Sequence, residues 1–73
     1  MKAYLFWYKS DEYAKTEYIY IFALSLKQAR FFYIKNGYTH MYDYSLNPVD
    51  EIEANHFTMR HEVGEIRGEL AHI

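Results

Sequence analysis

At 73 residues without a cysteine the chain makes one small domain, 1–73, with no disulfide framework, no thiolate zinc site and only about 60% of its unfolded surface to bury. No apolar run is long enough for a signal-peptide core or a membrane span, so a soluble, cytoplasmic protein is expected. The net charge of −2 conceals a split: residues 1–37 carry six Lys/Arg against three Asp/Glu, residues 38–73 carry two against seven, and all four His lie in the acidic half.

Between Lys2 and Lys9 the chain is unbroken apolar and aromatic, and residues 17–24 form a second such run. Both are rich in the aromatic and β-branched residues that suit a pleated surface. The polar residues 10–16 between them predict an antiparallel hairpin. A register with Lys9 opposite Glu17 pairs opposite charges. It also sets Tyr8 against Tyr18, Phe6 against Tyr20 and Tyr4 against Phe22, and such cross-strand aromatic pairs contribute roughly 0.2–1 kcal/mol each. Because side chains alternate, this register predicts one aromatic face and one mostly aliphatic face of Ala3, Leu5, Trp7, Ile19, Ile21 and Ala23. A slip of one residue would mix the two.

Ser25 is the expected N-cap of a helix over residues 26–36, and Gln28 completes a capping box. Gly37 stands where a helix stops. Leu26, Ala29, Phe32 and Tyr33 fall on one side of the wheel and should pack on the aliphatic face. Phe31 and Ile34 fall on the far side among Lys27, Arg30 and Lys35, on a helix with no acidic residue. If exposed there, they offer a second, smaller docking surface.

Residues 38–45 alternate as a third strand, Tyr38, His40, Tyr42 and Tyr44 against Thr39, Met41, Asp43 and Ser45, and the tyrosines extend the aromatic face if Met41 faces the helix. The Asn47-Pro48 pair marks a turn, and residues 51–55 read as a loop or short helical turn. Residues 56–63 alternate as a fourth strand, Phe57, Met59, His61 and Val63 against His56, Thr58, Arg60 and Glu62. The tail from Gly64 has helical spacing in Val63, Ile66, Leu70 and Ile73. Gly64 and Gly68 oppose it, each costing a helix about 1 kcal/mol. The order β-β-α-β-β predicts an α+β two-layer domain, an antiparallel sheet with one helix on one face.

No pattern for catalysis emerges. Ser25 is accounted for as a cap, and the three Gly are scattered rather than gathered into a phosphate loop. The four His and Glu62 are the one thread toward a metal, but the spacing of His56 and His61 puts them on opposite strand faces, and neither a metal nor a cofactor is expected. The expectation is a non-enzymatic interaction module. It would use an uncovered face of Tyr4, Phe6, Tyr8, Tyr18, Tyr20, Phe22 and Tyr42 to bind a protein, either a second copy in a homodimer or a different chain. The tail folding over that face is the intramolecular alternative. Single-stranded nucleic acid stacking on the same rings is a further reading, weakened by the acidic half of the chain. The last is an acidic mimic of nucleic acid built from Asp43, Asp50, Glu51, Glu53, Glu62, Glu65 and Glu69, which requires those carboxylates to cluster.

The stretch from Phe22 through the Ser25-capped helix to Gly37 and Tyr38 resembles small uncharacterised phage and prophage proteins. The resemblance implies a mobile-element accessory protein that acts by occupying a host protein, including as an inhibitor of a defence nuclease.

Overall fold

The computed structural model describes residues 1–9, 16–38, 46–57 and 59–68, with backbone alone for Tyr8, Lys9 and Thr16. Strand β1 is Lys2–Lys9 and β2 is Thr16–Ala23. Helix α1 is Leu26–Lys35, β3 is Asp50–Glu53, a 3-10 helix covers Ala54–His56, and β4 is Ile66–Arg67. The sheet order is β3-β1-β2-β4, and every neighbouring pair is antiparallel. The α+β class and the helix packed against the sheet are as expected from the sequence.

The helix follows its local signals closely. The Ser25 hydroxyl accepts a hydrogen bond from the Gln28 backbone N–H at 3.1 Å. The Gln28 side chain reaches back and accepts from the Leu24 N–H at 2.7 Å, one residue earlier than a strict capping box requires. At the other end the N–H of Gly37 bonds the Ile34 carbonyl and that of Tyr38 bonds the Tyr33 carbonyl, with Gly37 at φ +79°. This is a Schellman stop. Its accompanying apolar contact is the Tyr33–Tyr38 ring pair at 5.8 Å.

The hairpin forms, but in the slipped register. Lys9 stands opposite Thr16, Tyr8 opposite Glu17, Phe6 opposite Ile19 and Tyr4 opposite Ile21. Each face is therefore mixed. Tyr4, Phe6, Ile19, Ile21 and Ala23 form the core beneath α1, together with Ala29 and Tyr33. Phe6 and Tyr33 pack at 4.8 Å between ring centroids, and the Tyr33 hydroxyl donates to the Trp7 carbonyl at 2.8 Å. On the other face Ala3, Tyr20 and Phe22 form a second cluster with Leu5, Ile52, Ala54 and Phe57. The reason lies in the sequence itself. Positions on both faces are apolar, so the pattern does not penalise a one-residue slip, and the packing on each side decides.

Two further expectations are corrected. Asp50, read as the end of a turn, and residues 51–53, the first part of the 51–55 stretch read as a loop or short helical turn, pair with β1 as edge strand β3. Of residues 56–63, read as a strand, His56 ends the 3-10 helix and Phe57 and residues 59–63 are in no strand; the short β4 arises later, from the ambiguous tail. The strand expected over 38–45 falls outside the described residues except for Tyr38, which belongs to the helix stop. After β3 the chain crosses the second face from the β1 edge to the β2 edge. On arrival Gly64 donates to the Phe22 carbonyl and Phe22 donates to the Glu65 carbonyl. Among the described residues no helix is long and apolar enough to cross a membrane.

Candidate functional site

The register decides what becomes of the aromatic set. Tyr4 and Phe6 are buried under α1. Tyr20 and Phe22 are buried on the opposite face, where Phe57 meets them edge-on at 5.8 and 5.5 Å. Only Tyr18 among these described side chains is exposed, at 51%. The Tyr8 side chain and Tyr42 lie outside the described residues. A single aromatic face therefore does not form, and four of its members are enclosed by the chain's own helix and crossing segment.

An apolar surface that remains open is the outer side of α1. Wheel geometry sends Ala29 and Tyr33 inward, both fully buried, with Leu26 and Phe32 partly buried beside them. Phe31 and Ile34 face outward, 57% and 50% exposed. Lys27 precedes Phe31 by four residues and Lys35 follows it by four, so the three share a stripe. The Lys35 ammonium stands 5.6 Å from the centre of the Phe31 ring, a cation–π distance. Leu24, just before the helix, is also exposed. Arg30 has a different task. Its guanidinium donates to the Leu46 carbonyl at 2.8 Å and to the Asn47 side-chain oxygen at 2.9 Å, tying the segment before β3 to the helix.

A second organised centre lies under the crossing segment, around His61. Its ring stacks on Phe22 at 4.2 Å and 16° and meets Phe57 edge-on at 5.7 Å. Its Nδ1 is bonded to the Glu65 carboxylate at 2.5 Å. Arg67 donates to the same carboxylate oxygen at 2.8 Å, and the Glu62 N–H contacts the other. These contacts, the His61 bond first and Arg67 next, hold the Glu65 carboxyl at about 2, below its ordinary 4.5, while burial pushes the other way. The pair, with Arg67 behind it, holds the His61 ring in place.

Sequence reading missed this centre because it placed His61 on a strand. The available signal was the alternation that put Phe57 and His61 on one side, and both do meet Phe22. His56 is exposed, His40 and His72 lie outside the described residues, and no group of three metal-ligating side chains gathers among those described.

The acidic residues are divided. Asp50, Glu51 and Glu53 sit on β3 at one edge of the sheet, with Glu51 3.5 Å from the Lys2 ammonium. Glu62 and Glu65 lie beside β4 at the other edge. Asp43 and Glu69 are outside the described residues. In comparisons with known proteins no family model, no curated protein and no solved structure matches the chain.

Proposed function

We propose that this chain is a non-enzymatic docking module that binds an acidic, partly apolar segment of another protein on the outer face of α1. The observation that carries the reading is the exposure of Phe31 and Ile34, flanked by Lys27 and Lys35, on a helix with no acidic residue. Aromatic anchors ringed by charge are the usual energetic centre of a protein interface. The charge complement comes from the partner, since opposite charges steer association and fix orientation. Nucleic acid suits the face less well. Phosphate affinity grows with the number of cations that meet the backbone, and Arg30 is already committed to Leu46 and Asn47. The separation of Asp50, Glu51 and Glu53 from Glu62 and Glu65 likewise argues against a nucleic-acid mimic. Among the described residues a second copy could offer its own acidic edges to this helix, and self-association is the outcome that the test separates from a different partner. If the phage-like stretch from Phe22 to Tyr38 reflects ancestry, the partner is a host protein and the effect is inhibition.

The test is affinity capture from host lysate with the intact chain and with Phe31→Ser/Ile34→Ser, each with and without nuclease. The reading requires a partner that survives nuclease, is released by the double substitution, and weakens with added salt. Retention of the partner by the double variant, dependence on nucleic acid, or self-association in light scattering would each overturn it.

A further inference from the structure

Beside the His61 ring lies an open hollow of about 450 Å³, lined by Met1, Ala54, Asn55, Phe57, Met59, Arg60 and His61. The volume is within the range of small-molecule sites, roughly 300–1,000 Å³. Its walls are of two kinds. Met1, Ala54, Phe57 and Met59 supply an apolar floor, and the flexible thioethers of the two methionines adapt to an occupant's shape. Asn55, Arg60 and His61 supply hydrogen-bonding groups, and no carboxylate is among them, although this half of the chain is acidic overall.

The imidazole is the telling group. Its side chain is only 4% exposed. Nδ1 is spent on Glu65, whose carboxylate is itself fixed by Arg67, so ring and tautomer are held from behind. Nε2 has no partner among the described residues, and neither has the Arg60 guanidinium. A buried polar atom left unpaired is costly. With Nδ1–H turned to the Glu65 carboxylate, Nε2 is an acceptor, and an occupant that donates a hydrogen bond to it removes that cost.

We infer that this hollow binds a small organic carboxylate with an apolar or aromatic body and a hydroxyl beside the carboxylate. Arg60 grips the carboxylate, for which its planar fork is shaped. His61 Nε2 accepts from the occupant's hydroxyl, and Asn55 supplies amide hydrogen bonds at the rim. The apolar body lies against Phe57, Met1 and Met59. The site is separate from the outer face of α1, which shares none of these residues.

The experiment is an amide NMR titration of the full chain with 3-phenyllactate, with acetate and the neutral 3-phenyllactamide as controls. Saturable shifts are expected for Phe57, Arg60 and His61 with phenyllactate, and hydrocinnamate, which lacks the hydroxyl, should bind more weakly. Acetate and the amide should bind at least about tenfold more weakly, each lacking one half of the recognition. Arg60 is exposed and has no partner among the described residues, so Arg60→Glu should keep the fold and lower affinity by a further factor of about ten or more. Lys27→Glu, on the helix, should change nothing at this site. Absence of shifts near Phe57 and His61, equal binding of acid and amide, or unchanged affinity in Arg60→Glu would overturn the assignment.

Discussion

The two faces of this sheet are covered by different means. On one face α1 satisfies nearly all its own backbone hydrogen bonds and needs to contribute only side chains, so Ala29 and Tyr33 close over Phe6 and Ile21. On the other face an irregular segment does the same work for Tyr20 and Phe22, and its backbone and polar groups must find partners outside a helix. They find them through Gly64 and Glu65 on Phe22, and through the His61–Glu65–Arg67 chain. A helical cover rests on apolar packing and capping. An irregular cover rests also on ionised groups, and so it inherits a dependence on pH.

The sharpest way to break that comparison is to empty each face in turn. Phe6→Ala under the helix should cost about 3–5 kcal/mol, enough to unfold much of a domain whose total is of order 5–15 kcal/mol. Phe57→Ala removes a partly exposed ring from the other face and should cost less, roughly 1–3 kcal/mol. Urea denaturation measures both. Equal losses would mean the two covers are energetically alike.

Acid titration separates the faces by charge. Glu65 is held at about 2 in the folded chain against an ordinary 4.5. Between those values the unfolded chain binds the extra proton, so this residue's contribution is complete above about pH 4.5 and is lost as pH falls toward 2. Glu65→Gln should lower stability at neutral pH and flatten the stability profile across that window. An unaltered acid profile in the variant would show that the crossing segment does not depend on this carboxylate.

The helical side has its own, smaller test. Ser25→Ala removes the side-chain acceptor for the Gln28 N–H and should cost about 0.5–2 kcal/mol, toward the lower figure because the cap is exposed. The loss should be independent of pH between 2 and 4.5, unlike that of Glu65→Gln. Thermal melts at the two ends of the window decide it.

What was legible in the sequence was whatever depends on neighbours along the chain. Ser25, Gln28 and Gly37 specify where α1 begins and ends, because capping bonds span only three to five residues. The spacing of Ala29, Phe31, Tyr33 and Ile34 specifies which side of it is buried, because a helix has one period. The two strands of the hairpin were legible for the same reason. Their register was not. A charge pair and a row of aromatic pairs, each a fraction of a kcal/mol, favoured one alignment, and burial on both faces selected the other. Strand β3 and the two-residue β4 were likewise hidden, since their pairing partners lie far away in sequence. The same distance concealed the His61 centre, whose ring is positioned by Phe22, 39 residues earlier. Sequence alone determined the helix, its caps and its outward cationic face. Only tertiary packing decided which rings were enclosed, because an all-apolar strand carries no local record of which neighbour will cover it.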